Sequence, residues 1–156
     1  MIKVFKKILN IIFIILIIIL VGYFILRLTG RLEIYNVKTG SMEDNIHVND
    51  YIMIYKKNDY EIGDIVTFKK DNYLITHRII KKENNKFITK GDANNTIDDA
   101  INLEQIVGKV IIIGGILNFI INYKFALAGL FLSLYLLSYY FDSCNEEKEK
   151  DIDEER

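Results

Sequence analysis

Apolar and polar positions along this chain fall into four blocks. Ile8 to Leu26 is an almost unbroken apolar run in which Asn10 is the only strongly polar residue. About 20 apolar residues are enough for a helix to cross a bilayer core, so the run predicts a spanning helix. A cleaved secretory signal is the competing reading, but its apolar region would be about 7–15 residues and would end in small residues. This run is longer and closes with Tyr23, Phe24, Ile25 and Leu26, which favours an anchor that stays in place. Lys3, Lys6 and Lys7 precede it and favour a cytoplasmic N-terminus, although Arg27 and Arg31 on the far side weaken the contrast. The following segment then lies outside the cytoplasm.

A second apolar run goes from Phe125 to Phe141, and from Ile116 if Asn118, Asn122 and Lys124 are tolerated. It predicts a second crossing over about residues 118–141; an interfacial helix or an apolar tail folded onto the domain are the alternatives. Tyr135, Tyr139 and Tyr140 suit a membrane–water interface. Residues 142–156 lack an apolar face and are rich in Asp and Glu, which predicts a solvated, disordered tail. Cys144 sits at its start, where palmitoylation is conceivable and an idle thiol is the simpler reading.

Between the runs the period changes to that of strands. Tyr51–Tyr55, Asp64–Phe68, Tyr73–Ile80, Phe87–Thr89 and Ile106–Ile113 are rich in β-branched and aromatic residues. The breaks fall at 57–59, 61–63, 71–72, 83–85 and 91–92, where Asn, Asp and Gly supply turn chemistry. No helical apolar stripe appears. The layout is therefore an anchor over 1–28, a mainly antiparallel β domain over 29–117, a second membrane segment over 118–141 and an acidic tail over 142–156.

Composition narrows the chemistry. Over 156 residues, 51% are hydrophobic and 26% charged, and the net charge is −1, so no basic field for nucleic acid is present. One Cys rules out an intramolecular disulfide and a multi-cysteine metal site, and two His rule out a three-histidine zinc site. Pro is absent, so no turn rests on it. Gly114-Gly115 is not followed by the Lys-Ser/Thr of a phosphate loop.

Three short stretches could carry a reaction. Lys38-Thr39-Gly40-Ser41-Met42 places a Ser after a Gly, where a tight turn exposes both the hydroxyl and a backbone N–H able to bind an oxyanion. Thr76-His77-Arg78 puts a His in a strand, and Gly91 to Asp99 holds Asp92, Asp98 and Asp99. Each alone has an ordinary structural explanation. Together they supply a hydroxyl nucleophile, a base and a carboxylate to hold the base's tautomer, whatever their chain order.

Thr39-Gly40-Ser41-Met42, Gly63-Asp-Ile-Val-Thr-Phe68, Thr76-His-Arg-Ile79, Thr89-Lys-Gly-Asp-Ala-Asn-Asn95 with Asp98, and Val107-Gly-Lys-Val110 occur in that order. This resembles type I signal peptidase, in the endoplasmic-reticulum, archaeal and SipW-like branch where His replaces a Lys base. The resemblance runs from the anchor to about residue 113. It implies a mainly β, signal-peptidase/LexA-like fold with transmembrane helices. It implies Ser41 as nucleophile, His77 as general base, Asp98 as the triad carboxylate and Asp92 as a second important acid, with Asp99 the alternative triad acid. It implies an oxyanion hole from the Ser41 N–H and the Thr39 hydroxyl, and no metal or organic cofactor. Expected partners are signal-peptide-bearing pre-proteins cut after a small-x-small site, the bilayer and the secretion translocon, at the cell membrane with the catalytic domain on the extracytoplasmic side. The competing function is a non-catalytic, membrane-tethered β module that scaffolds a partner. A self-processing regulator would need a cleavable linker, and none is seen.

Three positions depart from the family pattern. Glu43-Asp44 stands where x-Pro is common, Asn49-Asp50 where Gly-Asp is usual, and Ile112-Ile113-Gly114 where Ile-Pro often follows Gly-Lys-Val. They bear on turn geometry more than on chemistry. His47 falls at a variable position and has no assigned role.

Overall fold

The computed structural model describes the backbone of residues 2–84 and 86–154, and the side chains of residues 4, 7, 8 and 10–140 apart from 85. Asn85 of the expected 83–85 turn and the side chain of Cys144 lie outside the described residues. The elements in order are helix α1 (Ile2–Leu28), strands β1 (Leu32–Asn36), β2 (Tyr51–Tyr55), β3 (Ile65–Lys70), β4 (Tyr73–Glu83), β5 (Lys86–Lys90), β6 (Ile101–Asn102) and β7 (Ile106–Ile113), and helix α2 (Gly115–Glu154). Two compact units are distinguished: the helical segments up to Leu16 and from Ile120, and the segment Ile17–Phe119.

In the helical unit, Phe13 of α1 stacks on Phe131 and Tyr135 of α2, with ring centroids 5.6 Å and 5.9 Å apart. Most large apolar side chains from Ile11 to Val21 and from Leu130 to Tyr140 remain exposed. A continuous exposed apolar surface of this kind needs an apolar environment to cover it. Asn10–Leu28 and Gly115–Tyr140 are both long and apolar enough to cross a membrane by length and composition. The backbone of α2 runs past the expected end of the apolar segment at 141, through residues expected to be a disordered tail, to Glu154. Glu and Lys are good helix formers, and neither Gly nor Pro interrupts the stretch from Phe141 to Glu154.

In the second unit α1 stops where a left-handed residue is supplied. Gly30 takes φ 64, and the Arg31 N–H reaches the Leu26 carbonyl at 3.0 Å while the Gly30 N–H reaches the Arg27 carbonyl at 3.1 Å. This paired capping satisfies two orphan carbonyls and turns the chain into β1. The described strands form one sheet in the order β1-β2-β7-β3-β4-β5-β6, with every pair antiparallel. The expected mainly β domain between apolar helices is thus the observed architecture. β2 and β7 have the bounds that their apolar runs predict, whereas β1 and β6 were not anticipated. β1 interleaves Glu33 and Asn36 with its apolar positions and is held by its register along β2, from Leu32 opposite Tyr55 to Asn36 opposite Tyr51. β6 is only two residues long.

Two apolar clusters hold this unit. Tyr60, Val66, Phe68, Ile79, Phe87, Ile101 and Ile106 form one, and Met42, Ile46, Ile52, Ile54 and Val110 the other. Met42 and Ile46 come from a loop rather than a strand. Their burial, at 2% and 0% exposure, fastens the loop between β1 and β2 to the sheet. Met42→Ala leaves a cavity at that anchor and is expected to lower stability by about 2–5 kcal/mol, while Met42→Leu keeps most of the volume and costs under about 1.5 kcal/mol. Denaturant unfolding of the full chain in detergent, followed by tryptophan-free near-ultraviolet signals of Tyr, checks both values.

Candidate active site

Ser41 lies on the loop between β1 and β2. The base of that loop is closed by the Val37 N–H donating to the Asp50 carbonyl at 2.8 Å and the Asn49 N–H donating to the Val37 carbonyl at 2.9 Å. Its tip is a succession of tight turns, in which the Glu43 N–H meets the Gly40 carbonyl and the Ile46 N–H meets the Met42 carbonyl. Asp44 and Asn49 adopt φ 79 and 73. Proline is fixed near φ −65°, so Asp44 holds a conformation that the family's common Pro could not. Asn49 uses the left-handed tolerance expected of it in place of Gly. With Met42 buried directly after it, Ser41 has little freedom to move.

His77 projects inward from β4, on the same face as Ile79, and is 5% exposed. It stands opposite Val66 in the β3–β4 register, and the Phe68 ring meets its imidazole edge-on at 6.2 Å. Beside it, the Thr67 and Thr76 hydroxyls meet across the strands at 2.8 Å. Its Nε2 lies 3.0 Å from Ser41 Oγ, and its Nδ1 lies 2.6 Å from Asp98 Oδ2. A carboxylate only accepts, so Nδ1 carries the proton in the neutral ring, and Nε2 is left as an acceptor facing the Ser41 hydroxyl.

The three carboxylates of the 91–99 segment have separate partners. Asp98 faces His77. Asp99 lies outward, 88% exposed, with its Oδ2 2.7 Å from Lys70 Nζ, and that hydrogen bond holds its carboxyl below the usual range. Asp92 accepts from Arg78 Nε at 2.9 Å and Nη2 at 2.6 Å, and from Asn45 Nδ2 at 2.8 Å. It touches neither Ser41 nor His77 in these bonds. Asp92 instead ties β4 to the Ser41 loop, and the Arg78 guanidinium is the main cause of its lowered pKa.

The 91–94 segment and the Ser41 loop are also joined through their backbones. The Ala93 N–H donates to the Ser41 carbonyl at 3.0 Å. A Cβ on Gly91 would stand 2.5 Å from that same carbonyl oxygen, so only Gly allows the approach. Beside Ser41 and His77 opens a groove of about 670 Å³, walled by Tyr35, Val37, Ile52, Leu74 and Ile75, with Thr39 on its rim. The Tyr35 hydroxyl donates to the Glu33 carboxylate; burial and that bond push its pKa up to about 12. His47 is exposed and lies on Asp50, away from this cluster. Sequence reasoning missed Arg78 and Thr89 as site partners. Both stand inside motif blocks, yet what they touch is set by a loop that returns from residues 91–99.

A hydroxyl, an imidazole and a carboxylate thus stand in series beside an apolar groove, on a β domain that lies between two apolar helices in the sequence. The family described as signal peptidase, peptidase S26, matches residues 6–96, which is more than half of the chain. The chain belongs to this family, and its class is that of a membrane-associated peptidase. No individual curated protein matches it. The matched stretch contains Ser41, His77 and Asp92 but ends before Asp98.

Two outcomes follow from this geometry. Gly91→Ala pushes the 91–94 segment off the Ser41 carbonyl and is expected to lower the rate of pre-protein cleavage on the order of 100-fold, since a misplacement of about 1 Å is that costly. Steady-state cleavage assays, with Tm as a check on folding, measure it. The second concerns pH. A carboxyl whose folded pKa is depressed adds stability above its unfolded value, ordinarily near 3.8, and loses it as pH falls through the folded value. The Tm difference between wild type and Asp92→Asn is therefore expected to be largest near neutrality and to shrink as pH drops below about 4.

Proposed function

We propose that the chain is a serine endopeptidase of the Ser-His-Asp type that removes signal peptides from secretory pre-proteins. The observation that carries this reading is the single hydrogen-bonded series from Ser41 Oγ through His77 to Asp98 Oδ2. His77 Nε2 takes the hydroxyl proton as Ser41 Oγ attacks the scissile carbonyl. Asp98 holds the ring and stabilises the imidazolium that forms. The Ser41 N–H and the Thr39 hydroxyl receive the oxyanion. His77 then passes the proton to the leaving amine, and an acyl-enzyme remains on Ser41. With the mature protein gone as that amine, water deprotonated by the same nitrogen attacks the acyl carbonyl, releases the signal peptide with a free carboxylate and restores the Ser41 hydroxyl.

The pre-protein lies extended in the groove beside Ser41, where the apolar walls take small side chains at the first and third positions before the cut. The apolar helices hold the enzyme in the bilayer as two spans, with the β domain on the extracytoplasmic side and the translocon as its supplier of substrate. Asp92 serves by fastening Arg78 to the Ser41 loop, and Asp99 takes no part in the proton series. A non-catalytic β module has no use for a buried imidazole shared between a hydroxyl and a carboxylate.

Purified full-length enzyme in detergent, given a pre-protein with a small-x-small site, is expected to cut it once. Ser41→Ala and His77→Ala should each lose at least about 1,000-fold in rate, as removal of a triad member does elsewhere. Undiminished cleavage by either variant would refute the assignment.

A further inference from the structure

Thr89 is a buried polar residue that the proton series does not use. It lies on β5, inward-facing like Phe87, and is 0% exposed. A buried hydroxyl costs free energy unless it is hydrogen-bonded. The Thr89 Oγ1 donates to Asp98 Oδ2 at 2.7 Å, and that same oxygen accepts from His77 Nδ1 at 2.6 Å. The contact is doubled through the backbone, because the Asp98 N–H donates to the Thr89 carbonyl at 2.9 Å.

This arrangement follows from the strand register. Thr89 pairs with Ile79, which shares its face of β4 with His77. After β5 the chain loops out through Gly91 and returns to pair β6 with β5, Ile101 opposite Phe87. The returning segment crosses Thr89 at Asp98. The backbone bond therefore selects Asp98 rather than Asp99 to stand over the strand, and the hydroxyl then sets the rotation of the carboxylate. Asp98 is partly open to water, with its side chain 21% exposed, so His77 alone does not restrain it. Two donors converging on one oxygen do.

We infer that Thr89 is a positioning residue for the cleavage reaction: its hydroxyl holds Asp98 Oδ2 in line with His77 Nδ1, and through it keeps Nε2 aimed at Ser41. The inference rests on the Ser41–His77–Asp98 reading above. Thr89 touches neither substrate nor reacting atoms, and it acts only through Asp98. Loss of the hydroxyl leaves Oδ2 with one donor and lets the carboxylate turn toward water.

The test uses the full-length enzyme in detergent with a signal-peptide-bearing pre-protein, and measures kcat, KM and Tm separately. Thr89→Val keeps the shape and removes the donor. Its kcat is expected to fall about 10- to 100-fold, the usual cost of losing an outer partner of a functional group, with KM within about two-fold of wild type. Thr89→Ser removes the methyl and keeps the donor, and its kcat should stay within about three-fold of wild type even if its Tm drops. In an Asp98→Asn background, Thr89→Val should change kcat by less than about two-fold, because the group it orients is already lost. If Thr89→Val does not fold, the contrast of Thr89→Ala with Thr89→Ser carries the same comparison.

Wild-type kcat in Thr89→Val overturns the inference. So does a loss in Thr89→Ser and Thr89→Val that tracks Tm alike, or a full loss that persists with Asp98→Asn. An enzyme that needs Ser41, His77 and Asp98 but is indifferent to the Thr89 hydroxyl sinks only this inference. Full activity of Asp98→Asn sinks the triad reading itself.

Discussion

One imidazole between two oxygens is the contact on which the rest of the β domain is organised. His77 has 3.0 Å to Ser41 on one side and 2.6 Å to Asp98 on the other. Those three residues come from a loop, a strand and a returning segment, separated along the chain by 36 and 21 positions. Hydrogen bonds of that length tolerate little displacement, so each segment has to be fastened independently. Met42 and Ile46 fasten the first by burial, the sheet register fastens the second, and Thr89 fastens the third. The Ala93–Ser41 backbone bond and the Arg78–Asp92 pair then tie the segments to one another.

The legible parts of the fold were those where one stretch of sequence determines its own structure. Tyr51–Tyr55 and Ile106–Ile113 are dense in β-formers, and their bounds follow from their ends. Helix α1 is legible for the same reason: its apolar run is long and nearly unbroken. β1 and β6 were not legible, because their partners lie elsewhere and their own patterns are weak. The continuation of α2 beyond residue 141 was missed because polarity, read as solvation, says little about backbone state when Glu and Lys are good helix formers.

At the site, the resemblance named Ser41, His77 and Asp98 as partners, while the contacts of Arg78 and Thr89 were not readable. Ser41 and His77 stand in motif blocks, so the pattern pointed to them before any geometry. The resemblance favoured Asp98 and left the adjacent Asp99 as the alternative. A shift of one position in a loop exchanges them, and the backbone bond from Asp98 to Thr89 fixes that shift. Asp44 shows the converse. Its replacement of a common Pro was expected to bear on turn geometry, and at φ 79 the turn has a shape Pro cannot adopt, while Ser41 still reaches His77.

Asp92, Asp98 and Asp99 are chemically one residue type within eight positions, and their surroundings give them three occupations. Asp99 is outside, where water screens its pairing with Lys70, and such a surface ion pair adds little. Asp92 is partly enclosed and meets a planar guanidinium with two donors, a geometry suited to joining segments. Asp98 alone meets an imidazole and a hydroxyl, neither carrying a permanent charge, so its own charge is not already committed to a fixed cation. With Arg78 on Asp92 and a neutral Thr89 on Asp98, the carboxylate beside His77 is the one of the three with no fixed cation hydrogen-bonded to it.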